Sequence, residues 1–222
     1  NVEGFDDYAK IVGVAEALLR PSAALLGKDG APLIRLKRVV DVRWPKNGRL
    51  GNGVTVPKTM RSSRIKEIID DPEIDVVVEL IGGKTIAYDV IDAALEAGKN
   101  VVTANKSLLA EKGERLFAKA ARLGREIAFE AAVAGGIPIL SAIRSGLAAN
   151  RVTTVYGILN GTTNFILSRM SETRASFPEA LAEAQRLGFA EADPTLDVEG
   201  IDAAHKIHLL AALALGRTVP MK

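Results

Sequence analysis

Two lysines stand where a cation could act on a reacting group. Lys106 belongs to Thr103-Ala104-Asn105-Lys106-Ser107, directly after the apolar pair Val101-Val102, and so at the point where a short buried strand ends. In an open α/β sheet, ligands collect outside the carboxyl ends of the strands, so a cation there faces the crevice rather than bulk solvent. Lys206 lies in a stretch that is apolar almost all round: Ile201, Ala203, Ala204, Ile207, Leu209, Leu210 and Leu213. That is the pattern of a buried helix. Asp202 precedes Lys206 by four residues, so both side chains leave the helix on one face. On a solvated surface such a pair is decorative, contributing about 0.3 kcal/mol. In a cleft it is a desolvated pair. Desolvation and a second nearby cation push a lysine pKa down, and a lysine tuned that way donates and accepts protons near neutral pH.

Upstream of this helix runs Gly188-Phe189-Ala190-Glu191-Ala192-Asp193-Pro194-Thr195-Leu196-Asp197. Glu191, Asp193, Asp197 and Asp202 place four carboxylates within a dozen residues. A solvated acidic loop accounts for such a cluster and is the preferred reading for Asp193. For Glu191, Asp197 and Asp202 the alternative is a site for a substrate ammonium. His205 and His208 admit a metal, but they are three apart with Lys206 between them, and a structural or exposed role is the expectation for both. Asn160-Gly161-Thr162-Thr163-Asn164 precedes Phe165-Ile166-Leu167. Small hydroxyl and amide residues there cap a helix or bind a carboxylate at its first amides.

The elements that must hold these residues alternate. Leu33 to Val42 reads as a strand, Ser63 to Asp70 as a helix, and Asp75 to Leu80 as a buried strand. Ala87 to Ala97 reads as a helix stopped by a left-handed Gly98. Asn100 to Thr103 is a strand, Leu108 to Leu123 a helix ending at Gly124, and Ile127 to Ala131 a further strand. Gly48 to Thr55 reads as a loop. This succession predicts βαβ units on a parallel sheet. After Gly135-Gly136 the pattern changes: Ile139 to Leu147 reads as a helix, Val152 to Leu159 as a strand of another sheet, and Phe177 to Leu187 and Gly200 to Leu215 as helices. The expectation is an α/β chain, with a Rossmann-like parallel-sheet domain over residues 1–135 and an incomplete α+β substrate and dimerisation domain over residues 136–222.

The 222 residues carry a net charge of +2, which gives no indication of a nucleic-acid partner. No apolar span is long enough for a membrane helix, and the opening Asn1-Val2-Glu3-Gly4 does not read as a signal peptide. With no cysteine, disulfides, thiolate metal sites and a cysteine nucleophile are excluded. A cytoplasmic location is the expectation.

Five ordered segments resemble the homoserine dehydrogenase family: Glu79-Leu80-Ile81-Gly82-Gly83, Val102-Thr103-Ala104-Asn105-Lys106, Glu130 through Pro138, Gly157 through Asn164, and Gly188 through Lys206. The resemblance runs from about Val14 to the C-terminus. It implies interconversion of L-homoserine and L-aspartate 4-semialdehyde with NADP or NAD, a step toward threonine and methionine, in a homodimer acting on a small molecule. It implies Lys206 as general acid, Lys106 as the second essential lysine beside the nicotinamide, and Asp202 as the residue that orients Lys206. Glu191, Asp197, Asp202 and Thr162 match substrate contacts. Gly13, Arg43, Gly82, Lys106, Gly188 and Glu191 match the cofactor site. Glu130, Val133, Gly135 and Ile137 match a sodium site of main-chain oxygens, where a plain hinge is the alternative.

Two departures accompany the resemblance. A dinucleotide-binding domain opens with a strand and G-x-G-x-x-G. Here Gly13 alone survives, ahead of the helix-like run Val14 to Leu19, and Asp6 and Asp7 would repel a diphosphate. Weak or absent dinucleotide binding follows if the chain is continuous there. The chain also stops at Thr218 to Lys222, where relatives continue, which would leave apolar faces uncovered or covered by a partner chain. Arg43 and Lys46 favour the 2′-phosphate of NADP, whereas Asp41 would suit the free ribose of NAD. Beside the dehydrogenase reading stand a non-catalytic assembly module of the same fold and a dehydrogenase for a different amino-acid aldehyde.

Overall fold

A parallel three-stranded sheet carries the order β5 (Val76–Glu79), β6 (Asn100–Thr103), β7 (Ile127–Ala128), each strand paired with the next in sequence. The computed structural model describes residue 28 and residues 31–216, apart from residues 43, 46 and 51–53. The described chain falls into two compact units: residues through Asn105 with Arg115–Ala128, and Lys106–Glu114 with the residues from Phe129 onward.

In the first unit, β1 (Val39–Val40) pairs parallel with β4 (Arg61–Ser62), and β2 (Arg49–Leu50) pairs antiparallel with β3 (Val54–Thr55). The strand expected over Leu33 to Val42 is thus reduced to two residues. A strand exists only as far as its partner does, and β4 offers the register Val39↔Arg61 and Val40↔Ser62. Ser62 O then closes the ladder by accepting from Asp41 N at 3.1 Å and from Trp44 Nε1 at 2.6 Å. Leu33 and Ile34, outside the ladder, are exposed. The expected loop at 48–55 contains the β2–β3 hairpin, and the expected helix over Ser63 to Asp70 is the short α1 (Lys66–Ile69).

Two crossover helices join the main strands. α2 (Ile86–Glu96) lies against β5 and β6 and buries Ala87, Val90, Ile91, Ala94 and Leu95. It stops where Gly98 takes φ +75°, a left-handed backbone that any Cβ would strain. α3 (Lys106–Leu123) begins two residues earlier than expected, so Lys106 is its first residue. β5 is not buried on both faces as expected: Val77 and Glu79 are buried, while Val76 and Val78 are exposed, the alternation of a strand covered on one side. β7 ends at Ala128 and gives way to a 3₁₀ turn over Glu130–Ala132.

In the second unit, α4 (Ile139–Ser141) continues into a wider π turn over Ala142–Gly146. The strand expected over Val152 to Leu159 is absent: residues 151–160 take no regular structure, and Tyr156 and Ile158 are exposed. Its β-prone residues find no neighbouring strand among the described residues, and propensity without a ladder does not make a strand. Then come α5 (Gly161–Thr173), α6 (Phe177–Arg186), α7 (Thr195–Val198) and α8 (Ile201–Leu215). Ile166 of α5 packs with Ala180 and Ala184 of α6 and with Ala190. Among the described residues, no helix is long and apolar enough to cross a membrane.

At the carboxyl edge of the parallel sheet, one buried carboxylate ties two loops together. Glu79 is 2% exposed and stands in register with Thr103. Its Oε2 accepts from Thr103 Oγ1 at 2.6 Å, and its Oε1 accepts from Ile81 N at 2.6 Å and Gly82 N at 3.2 Å. Thr103 Oγ1 in turn accepts from Asn105 N at 3.0 Å, and Asn105 Nδ2 donates to Gly83 O at 2.7 Å. Removing the carboxylate deprives three donors of their acceptor at once, and the Thr103 hydroxyl among them is fully buried. Glu79→Ala is therefore expected to destabilise the chain by about 3 kcal/mol, with Glu79→Gln losing less because it keeps an acceptor. Urea unfolding checks this, and equal stability of Glu79→Ala and wild type would contradict it.

Candidate active site

Asp202 is the hub of the site. It lies in the first turn of α8, 8% exposed, after Gly200 at φ +76°. Its Oδ2 accepts from Lys206 Nζ at 2.6 Å, one turn along the same helix, and from Asn160 Nδ2 at 2.9 Å. Its Oδ1 faces Lys106 Nζ at 3.2 Å. The Asp202–Lys206 pair is therefore the desolvated one of the two readings, and both lysines of the sequence analysis meet on one carboxylate. All of these residues belong to the second unit. Burial pushes the Asp202 carboxyl up, but hydrogen bonds from Lys206, Asn160 and Lys106 outweigh it, so the group is held below the ordinary carboxylate range.

Each lysine is placed by backbone as well as by charge. Lys206 Nζ also donates to Leu159 O at 2.8 Å. Two of its three N–H groups are thus engaged, and one is left for a further acceptor. Lys106 stands at the positive end of the α3 dipole, an unfavourable place for a cation, and the carboxylate of Asp202 offsets it.

Asn160 is the N-cap of α5, as one of the two readings of its motif had it: its Oδ1 accepts from Thr163 N at 2.8 Å. The same side chain also donates to Asp197 Oδ1 at 2.7 Å, so Asp197 and Asp202 share one amide. Sequence reasoning missed this link, although the polar run before α5 and the acids before α8 were both in view. Thr162 Oγ1 donates to Phe189 O at 2.7 Å, leaving its lone pairs as acceptors. Glu191 is exposed, and its main-chain oxygen accepts from Gln185 Nε2 at 3.1 Å. Gly188, at φ +80°, follows α6 and starts this loop. Asp193 is exposed and accepts from Thr195 N and Thr195 Oγ1 in the loop ahead of α7, in keeping with the solvated-loop reading.

The remaining expected residues lie elsewhere. Glu130 Oε1 accepts from Leu140 N at 2.9 Å, and its Oε2 from Ser141 N at 3.0 Å and Ser141 Oγ at 2.6 Å. The Ser141 hydroxyl leads in holding its carboxyl below the ordinary range, ahead of the opposing effect of burial. The loop of Val133, Gly135 and Ile137 folds back through a left-handed Ala134 at φ +50° and the bond from Ile137 N to Ala134 O. Gly82, at φ +75°, gives its amide to Glu79. Gly13 and Arg43 lie outside the described residues, as do the opening residues 1–13, Lys46 and the last six positions. Among the described residues, no three His, Asp or Glu side chains gather as a metal ion would need, so the reading of His205 and His208 as ligands gains no support.

Residues 13–130 match the family pattern described as homoserine dehydrogenase, NAD binding domain, and residues 138–222 match that described as homoserine dehydrogenase. The chain belongs to the homoserine dehydrogenase family. The homoserine dehydrogenase of Pseudomonas aeruginosa is 61% identical over 152 residues, which are 68% of this chain and 35% of that protein. The crystal structure of a homoserine dehydrogenase from Thiobacillus denitrificans aligns with a TM-score of 0.69 at 54% identity, covering 74% of this chain and 38% of that one. A hyperthermophilic archaeal homoserine dehydrogenase in complex with NADPH aligns at 0.64 and 28% identity, covering 77% and 51%. The chain thus spans between 35% and 51% of the length of these homoserine dehydrogenases.

Proposed function

We propose that this chain carries the proton-transfer and substrate-binding side chains of an NADP- or NAD-dependent interconversion of L-homoserine and L-aspartate 4-semialdehyde. The observation that carries this reading is the pair of ammonium groups on the two oxygens of Asp202, with one N–H of Lys206 uncommitted. Family membership and the match of residues 13–130 to the NAD binding domain support it.

A bound nicotinamide dinucleotide supplies the hydride. Negative charge then grows on the aldehyde oxygen, and preorganised cations stabilise it where it forms. Lys206 donates the proton to that oxygen and Lys106 contributes the second charge. Asp202 holds both ammonium groups in place, one on each carboxylate oxygen, without taking part in the transfer itself. Glu191 and Asp197 suit the α-ammonium of the substrate, with Thr162 as an acceptor beside them. Gly13, Arg43, Gly82 and Gly188 are assigned to the cofactor with Lys106 and Glu191. Arg43, which follows the run Leu33 to Val42 in the sequence, favours NADP over NAD. For a sodium ion, the carboxylate of Glu130 is already taken by Leu140 and Ser141, so the ligands would be the main-chain oxygens of Glu130, Val133, Gly135 and Ile137, hard donors on a sharply turned loop.

The test is homoserine-dependent reduction of NADP, followed by the absorbance of the reduced nicotinamide, beside a titration of Trp44 fluorescence with NADPH. Reduction is expected, with NADPH binding that is measurable but weak, since Gly13 alone remains of the glycine-rich turn. Binding without reduction of NADP by homoserine would favour a dehydrogenase for another amino-acid aldehyde. No binding at about millimolar NADPH, the weak end of the usual range of KM, would favour the assembly module.

A further inference from the structure

We propose that Asn160 is a positioning residue for this reaction: its carboxamide fixes the spacing of Asp197 and Asp202 and thereby aims the ammonium of Lys206. The inference rests on the dehydrogenase reading for its catalytic consequence, though not for its structural content.

A primary amide has two N–H donors and two acceptor lone pairs, and at Asn160 all four are engaged. Oδ1 accepts from Thr163 N at 2.8 Å and Thr163 Oγ1 at 2.9 Å, and Nδ2 donates to Asp197 Oδ1 at 2.7 Å and Asp202 Oδ2 at 2.9 Å. The residue is 7% exposed. Its orientation is dictated by the helix it caps: the oxygen must face the amide of Thr163, so the nitrogen must face the acids. Asp197 and Asp202 would repel each other if nothing stood between them. The shared NH₂ group bridges them instead, and it touches the same Asp202 oxygen that Lys206 uses. The main chain contributes too. Leu159 O, the acceptor for Lys206, belongs to the residue just before Asn160. Anchoring Asn160 at the start of α5 therefore places both fixed partners of Lys206, one through the side chain and one through the backbone.

Capping alone would require much less. Serine, aspartate and asparagine cap a helix about equally well, and only asparagine also donates two hydrogen bonds to carboxylates. This separates the two roles. Asn160→Ser keeps the cap and removes the bridge, and Asn160→Asp keeps the cap and adds a third carboxylate to the pair. In homoserine oxidation across a pH series, Asn160→Ser is expected to lose at least about tenfold in kcat/KM at neutral pH, and the acid limb of its profile is expected to move to higher pH. Asn160→Asp is expected to move it further. Profiles that overlay wild type for both variants would leave Asn160 a cap and overturn the proposal.

Urea unfolding supplies a readout independent of turnover. The stability gap between wild type and Asn160→Ser is expected to be full near neutral pH and to close in acid as Asp202 protonates. A gap near zero at every pH would overturn the proposal even in a chain without activity. A wild type that shows this gap but does not oxidise homoserine would instead refute the dehydrogenase reading. Should Asn160→Asp fail to fold, Asn160→Ser decides alone.

Discussion

Replacing Lys206 with alanine is expected to lower kcat/KM for homoserine by about a thousandfold, in the middle of the range for loss of a positioned general acid. NADPH affinity is expected to stay nearly intact. Lys206 Nζ is fixed by Asp202 at 2.6 Å and by Leu159 O at 2.8 Å, so no other group of the site takes the hydroxyl proton of homoserine, or gives it back to the aldehyde in reverse, from the same place. Lys106→Ala removes a charge but leaves that donor, and a smaller loss of about thirtyfold is expected from it. Steady-state kinetics beside an NADPH titration checks both. A Lys206→Ala chain with the wild-type rate would refute the assignment of Lys206 as acid.

Asp202→Asn is expected to have the second largest effect, and it reads stability as well as rate. The amide keeps the shape of the side chain but deprives two ammonium groups of the carboxylate that each faces. A loss of about a hundredfold in kcat/KM is expected, together with about 2 kcal/mol of stability at neutral pH, since Lys106 and Lys206 are part-exposed and regain some hydration. The pH sense follows from the carboxyl being held below its ordinary value of 3.8. A depressed carboxylate contributes stability above its unfolded-state value and loses it as pH falls through its folded-state value. The gap between wild type and Asp202→Asn is therefore expected to be full at neutral pH and to narrow below about pH 4. Urea unfolding over a pH series measures it. A gap that widens in acid would contradict the assignment of charge at this residue.

Much of this was legible in the residues. The lysine after Val101-Val102 and the Asp202–Lys206 spacing on an apolar helix pointed to one site, and Asp202 does join both lysines. The helices stopped by Gly98 and Gly124 end where expected, because a left-handed glycine is a local signal. What stayed hidden was whatever depends on a distant partner. Leu33 to Val42 has the composition of a strand, yet the ladder covers two residues because β4 is that short. Val152 to Leu159 has the composition of a strand and no ladder at all. Asn160 was visible as a cap, which is a contact three residues away, and invisible as a bridge to acids 37 and 42 residues later. Glu79 gave a fainter signal: a carboxylate closing the run Val76-Val77-Val78 needs donors, and β-sheet register brings Thr103 to it.

The titration of the Asp202 side-chain carboxyl, followed by carbon-13 NMR in wild type, Lys106→Ala and Lys206→Ala, addresses the shared carboxylate without relying on turnover. Convergence of both ammonium groups on it predicts a midpoint below the ordinary carboxylate range in wild type and a higher midpoint in each variant. A midpoint indifferent to either lysine would contradict the convergence and with it the site.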